Sequence, residues 1–248
     1  MFTGIIKEVG KLNNIKKIKE GYELEVLSSL LTKDMSIGDS IAVNGCCLTV
    51  KEFSRGKSFK VDISPTTLNV TSFQFLKSGC AVNLEDALKP TDKFGGHLVS
   101  GHVDNVGEII SILKQGEFYK ISIKIPKQLF LFIAPKGSIA IDGISLTVAQ
   151  LNIINSNIDF AIIPFTFNNT NLKFKKNGEK VNLEVDLIAR YILNIMQIKD
   201  INLGDLSDDL NKKIINNFYD EQILTNFKNK NEKDLILEEK LKKYGFKK

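Results

Sequence analysis

"SIAVNGCCLTV", Ser40 to Val50, returns later in the chain as "SIAIDGISLTV", Ser138 to Val148. Two further stretches recur in the same order. "FTGIIKEVGKL" from Phe2 matches "VSGHVDNVGEI" from Val99, a shift of 97 residues, and "VDISPTTLNVT" from Val61 matches "FAIIPFTFNNT" from Phe160, a shift of 99. Collinear matches at one period indicate tandem duplication. The framework is kept, Gly4 with Gly101 and Gly45 with Gly143, while the polar chemistry diverges: Cys46-Cys47 becomes Ile144-Ser145 and Asn44 becomes Asp142.

Each copy is written in strands. "YELEVL", "SIAV", "CLTV" and "FKVDI" in the first, and "YKISIKI", "SIAI", "SLTV" and "IDFAII" in the second, are short and often alternate apolar with polar residues. "NG" at Asn44-Gly45 and "DG" at Asp142-Gly143 predict tight hairpin turns, because both residue types tolerate positive φ. Such spacing predicts two small closed barrels or sandwiches in tandem. "KQLFLFI", Lys127 to Ile133, predicts a short amphipathic helix plugging the second.

After Val185 the pattern changes. "DLIARYILNIMQI" places Leu187, Ile188, Tyr191, Ile192, Ile195 and Met196 at helical spacing, so this helix is either a lid on its own barrel or an oligomer seam. From Ile201 to Lys248 the chain turns polar, and "LNKKIINNF" and "EKDLILEEKLKKY" predict two more helices with solvated charged faces.

Composition narrows the class. The 34 Lys and Arg exceed the 29 Asp and Glu by only 5 and are scattered among acids, which argues against nucleic-acid binding. Three cysteines without zinc-like spacing and two histidines argue against a disulfide scaffold and a structural metal, and fit a reducing compartment. "MFTGIIKEVG" lacks a basic leader pattern, and the apolar run "LFLFIA" is far below the ~20 residues of a membrane span. A cytoplasmic location is expected.

A duplicated pocket with diverged polar residues suits two molecules of one ligand treated differently. Cys47 is the sharpest candidate: a thiol is more easily deprotonated than a hydroxyl and can add to an electron-poor ring carbon or pass a proton, where Ser145 hydrogen-bonds or is a weaker nucleophile. The alternative is a cysteine serving as a small buried hydrophobe. Strand alternation sends Cys46 to the opposite face, and Cys80 reads as structural. His102 stands where the first copy has Ile5, so the repeat assigns it to the second half-site as a proton relay; a turn-stabilising role is the alternative. His97, after Gly95-Gly96, reads as a residue positioning the linker. Ser40, Thr49, Asp62 and Thr67 in the first copy, with Asp142 and Thr147 in the second, are short polar groups fitted to an amide edge or to hydroxyls. Asp142 reads equally as a turn satisfier.

"MFTGII", "NGCCLTV", "GGHLVSGH", "KGSIAIDGISLTV", "PTTL" and "PFTF", in this order from Met1 to about Ile198, resemble the riboflavin synthase family. The resemblance implies a mainly β chain: two tandem six-stranded antiparallel Greek-key barrels, residues 1–95 and 96–185, then an oligomerising helix, 186–200. It does not cover the extension, 201–248. It implies a four-carbon transfer between two molecules of 6,7-dimethyl-8-ribityllumazine, giving riboflavin and 5-amino-6-ribitylaminopyrimidinedione, with no metal or organic cofactor. A homotrimer is implied, with lumazine synthase as a further partner, and a non-catalytic lumazine or flavin antenna protein is the runner-up.

The family's site residues carry over position by position. Cys47, His102 and Ser145 are implied to be catalytic. Ligand contacts are implied at Thr3, Gly4, Ile5 and Ile6; at Leu48, Ile63, Ser64 and Thr66; and at Gly101 and Val103. In the second copy they fall at Leu146, Ile162, Ile163, Pro164 and Thr166. Lys136 matches a ligand-contact position or is a surface lysine, and Asp186, at the helix start, is implied to lie near the site. Thr66 and Phe165 stand where the family pattern carries Glu.

Overall fold

The computed structural model describes residues 1–197. Of these, Met1–Arg190 form one compact unit. The two helices expected between Ile201 and Lys248 lie outside the described residues.

The first half comprises β1 (Glu8–Ile18), β2 (Gly21–Leu27), β3 (Ser40–Val43), β4 (Cys46–Ser54), β5 (Ser58–Ile63) and β6 (Ala81–Asp86). They close into an antiparallel barrel in the order β1-β2-β5-β4-β3-β6. Period-two alternation decides what is inside: Phe59, Val61 and Ile63 of β5 and Cys46, Leu48 and Val50 of β4 point into the core, and their neighbours point out.

The second half repeats this path with β7 (Asn105–Gln115), β8 (Phe118–Lys124), β9 (Ser138–Ile141), β10 (Ile144–Thr147), β11 (Gln150–Asn152), β12 (Asn157–Ile162) and β13 (Lys180–Val185). Its order, β10-β9-β13-β7-β8-β12-β11, is that of the first barrel with the fourth strand cut in two, so the sheet curls without closing. The first barrel shows the cause. Its β4 carries a bulge between Val50 and Glu52, and the equivalent break, at Val148 and Ala149, ends the ladder altogether. Lys127–Phe132 winds as a 3-10 helix, with Leu129 and Phe130 buried against the second core, as the plug expected there.

The halves meet through reciprocal contacts. Asn44 and Asp142 take φ of 45° each, followed by Gly45 at 75° and Gly143 at 79°, the left-handed pair that a tight hairpin requires. The two turns abut back to back: a Cβ on Gly45 would lie 2.6 Å from the Gly143 nitrogen, and one on Gly143 would lie 2.7 Å from the Gly45 nitrogen. Around them, Asn83 Nδ2 donates to the Asp142 carbonyl at 3.0 Å and Asn182 Nδ2 donates to the Asn44 carbonyl at 2.8 Å. Strands β6 and β13 are therefore buried on both faces, Val82, Leu84, Val181 and Leu183 in the cores and Asn83, Glu85, Asn182 and Glu184 in the seam.

The segments before β1 and before β7 change sides. Ile6 packs on the core of the second barrel and Val103 on that of the first. Phe2 and Val99 bridge the crossing, Phe2 N donating to the Val99 carbonyl at 2.8 Å.

α3 (Leu187–Gln197) follows β13, and Asp186 Oδ1 accepts from Ile188 N at 2.8 Å at its start. Ile188, Tyr191, Ile192 and Ile195 are each more than half exposed, so among the described residues nothing covers its apolar face. Among the described residues no helix is long and apolar enough to cross a membrane.

Candidate functional site

Of the diverged residues, Cys47 and Ser145 sit on the outside of their barrels. Opposite Ala42 on β3, Cys47 faces outward and is part-buried, while Cys46 is 4% exposed in the core. Burial pushes the Cys46 thiol up to about 12, so it stays protonated. Cys47→Ser is accordingly expected to cost at least about tenfold in turnover with the fold intact, whereas Cys46→Ser costs about 1–3 kcal/mol of stability and leaves the chemistry of the folded fraction unchanged. Rates measured beside thermal melts check this; equal losses of rate would place the wrong cysteine in the site.

A polar row crosses the outer face of the first barrel. Ser40 pairs with Thr49, and Asp62 pairs with Glu23, on four adjoining strands. At the end of β5, Ser64 caps the short helix α1 (Pro65–Val70): its Oγ accepts from Thr67 N at 3.0 Å and lies 2.9 Å from Thr67 Oγ1, and Thr66 is exposed beside them. In the second half Ser138 pairs with Thr147, and Ile163 precedes α2 (Pro164–Asn168), which carries Thr166 and an exposed Phe165. Leu48, Ile63, Leu146 and Ile162 point into the cores, so only their backbones reach these outer faces.

The exchanged segments complete each face. Cys47 N donates to the Gly101 carbonyl at 2.8 Å, and Ser145 N donates to the Gly4 carbonyl at 2.8 Å. Gly101 has φ +83°, and a Cβ there would stand 2.5 Å from Cys47 Cβ; Gly4, at φ +75°, would stand 2.7 Å from Ser145 Cβ. Only glycine lets the segments approach so closely. Two buried glutamates hold them. Glu85 accepts from Thr3 N and Gly4 N at 2.7 and 3.0 Å, and Glu184 accepts from Ser100 N and Gly101 N at 2.6 and 3.0 Å. Burial raises both carboxyls, against the lowering effect of these hydrogen bonds.

This geometry corrects three expectations. The Gly101-His102 segment lies against Cys47 of the first barrel and not against the second, because it crosses the seam; the Gly4-Ile5-Ile6 segment meets Ser145 and the second barrel by the same exchange. Asp142 offers nothing to a ligand. It is fully buried in the seam, accepting from Asn182 N at 2.7 Å and Asn171 Nδ2 at 2.8 Å, with Lys175 Nζ 3.1 Å away. Thr3 is 3% exposed and its hydroxyl is occupied by Glu85 and Ile5 N.

His97, read from the sequence as a linker residue, lies against Ser145. It is 7% exposed, with Nδ1 2.7 Å from Ser145 Oγ. Nε2 is buried with no hydrogen-bond partner among the described residues. Burial lowers its pKa, opposed by the charge of Asp186, so the ring is neutral near pH 7 and able to take a proton from Ser145. Lys136 is exposed and held at φ 63°, where the first copy uses Gly38 at 91°. A lysine in this left-handed conformation carries strain that glycine would not. Among the described residues no group of three His, Cys, Asp or Glu side chains gathers as a metal would need.

The sequence profile of the lumazine binding domain matches residues 3–87 and again 100–186. The riboflavin synthase of Photobacterium phosphoreum is 43% identical over 216 residues, spanning 86% of this chain and 94% of the relative. The chain belongs to the riboflavin synthase family. The riboflavin synthase of Bacillus subtilis is 40% identical over 79% of this chain and 90% of its own length. Among solved structures, LumP complexed with 6,7-dimethyl-8-(1'-D-ribityl) lumazine superposes with a TM-score of 0.67 at 27% identity, covering 75% of this chain and 99% of that one. Both matched spans of this riboflavin synthase family member coincide with the repeats and contain the paired outer faces.

Proposed function

We propose that the chain converts two molecules of 6,7-dimethyl-8-ribityllumazine into riboflavin and 5-amino-6-ribitylaminopyrimidinedione, one lumazine donating a four-carbon unit to the other. The observation that carries this reading is the pair of outer faces with one backbone plan and different chemistry. A thiol, that of Cys47, stands on one face where the backbone of the Gly101-His102 segment meets it, and a hydroxyl hydrogen-bonded to a buried imidazole, Ser145 with His97, stands on the other.

The residues divide the work. Ser40, Thr49, Asp62, Ser64, Thr66 and Thr67 receive the ring edge and ribityl chain in the first half-site, with Val103 at its border. Thr147, Ile163, Pro164, Thr166, Lys136 and Ile5 do so in the second, near Asp186. His97 takes the proton of Ser145, whose oxygen then withdraws one from a substrate methyl; Cys47 adds to a ring carbon or relays a proton in the partner half-site. Atoms balance between two lumazines and the two products without an oxidant. Each half-site opens on the outside of its barrel, so two bound lumazines meet when faces of different subunits are apposed. The apolar face of α3 supplies the seam of such an assembly, which the reading takes to be a trimer. Residues 1–95 and 96–185 are then its two lumazine-binding units.

The test is direct. Purified protein given 6,7-dimethyl-8-ribityllumazine alone, with a chelator present, is expected to form one riboflavin for every two lumazines consumed. Tight binding without turnover would instead place the chain with LumP, whose solved structures hold the lumazine and riboflavin.

A further inference from the structure

The two outer faces differ in one charged cluster. In the first barrel Lys51 Nζ lies 2.8 Å from Glu23 Oε2 and 2.9 and 3.2 Å from the two oxygens of Asp62. The corresponding positions of the second barrel hold Ala149, Lys120 and Ala161, and Lys120 pairs instead with Asp159 at 2.8 Å, so no carboxylate stands at the place of Asp62 there. The backbone explains how Lys51 arrives. The bulge between Val50 and Glu52 breaks the alternation, so Lys51 and Glu52 both turn outward: Glu52 pairs with Lys60 at 2.9 Å, and Lys51 is left to reach across the polar row. Bulges commonly re-aim a side chain beside a functional face.

Stability does not account for the cluster. The Asp62 side chain is 50% exposed and that of Lys51 37%, and exposed ion pairs contribute little to folding. Lys51 engages both Asp62 oxygens, and a carboxylate has about four acceptor positions, so acceptor capacity remains for a further donor.

We propose that Lys51 is a positioning residue of the first half-site: it fixes the Asp62 carboxylate to accept hydrogen bonds from the hydroxyls of a polyol chain. The proposal rests on the lumazine reading above for the identity of the ligand. The second half-site presents Ala161 at this place and receives its ribityl chain by other contacts.

Lys51→Ala and Lys51→Arg, in the full chain, test it by turnover of 6,7-dimethyl-8-ribityllumazine and by fluorescence titration with riboflavin. Lys51→Ala is expected to raise KM roughly tenfold, the scale of one charge-assisted hydrogen bond. Its kcat stays within about twofold, because Lys51 touches no reacting atom. Lys51→Arg restores KM. A riboflavin analogue with a hydroxyl-free alkyl chain is expected to bind Lys51→Ala and the parent protein equally. Unchanged KM and riboflavin affinity in Lys51→Ala, beside normal turnover, overturn the proposal and leave the enzyme reading standing. No turnover in any form, but weakened riboflavin binding in Lys51→Ala alone, supports the proposal and removes the enzyme reading. Equal weakening for the alkyl analogue shows a general loss of the face and overturns it.

Discussion

Gly45→Ala is expected to unfold the pairing of the two barrels and with it both half-sites. The new methyl would stand 2.6 Å from the Gly143 nitrogen and 2.7 Å from its Cα, and both are backbone atoms of an equally tight turn with nowhere to retreat. Gly45 also holds φ at 75°, which any side chain strains. Asn83, Asn182, Asn44 and Asp142 lose their mutual hydrogen bonds if the turns separate, and buried polar groups without partners are costly. Together these place the loss at about 3–5 kcal/mol, the range of severe single substitutions. Thermal or urea denaturation reads it directly. Gly56→Ala is the control: it has a similar φ of 67° but open space around it, and is expected to lose about 1 kcal/mol. Equal effects at the two positions would show that contact between the turns does not hold the halves together.

His97→Ala is expected to lower kcat roughly a hundredfold with a much smaller change in KM, because the ring acts on a proton and not on the ligand's binding. The pH dependence has a definite sign. Burial holds His97 below the ordinary histidine value of about 6.5, so the neutral ring that accepts a proton persists into mild acid. The acid limb of kcat due to His97 should therefore fall below pH 6.5 and disappear in His97→Ala. The same burial makes the folded protein bind fewer protons than the unfolded chain. Its contribution to stability is present above the unfolded value and is lost as pH falls through it toward the folded one. A rate loss confined to KM, or an acid limb unchanged in His97→Ala, would remove His97 from the chemistry and leave it a packing residue.

The fold was legible because its signals are local. Alternation in "FKVDI" and "CLTV", the NG and DG turns, and the glycines kept at equal spacing each depend on a few neighbouring residues, and all agree. The same alternation put Cys47 outside and Cys46 inside. What the sequence hid is long-range. A repeat says that "GIIK" and "GHVD" are equivalent, but not which barrel each packs against. The crossing is decided by Ile6 and Val103 finding the opposite cores, and it moves His102 to Cys47. Asn44 becoming Asp142 looked like ligand chemistry because the charge is new, and its compensation lies far along the chain: Lys175 stands where the first copy has Leu76, burying its ammonium against Asp142. Aligning the two copies in full exposes that paired change. The helices at "PTTL" and "PFTF" were missed because one short turn lacks any amphipathic period, although Ser64-Pro65 is a helix start.

Each chain, on the proposed mechanism, builds two different half-sites from exchanged segments, and catalysis joins the first half-site of one subunit to the second of another. Complementation between inactive variants separates this arrangement from a site within one chain. Cys47→Ala and Ser145→Ala proteins, each inactive alone, are unfolded and refolded as an equal mixture, in parallel with a mixture of Cys47→Ala and His102→Ala. The account predicts recovery of about one quarter of the interfacial sites in the first mixture, from independent pairing of intact faces. It predicts none in the second, because Cys47 and His102 belong to the same half-site. Recovery in the second mixture would return His102 to the face of Ser145, and silence in the first would place both reacting lumazines on a single chain.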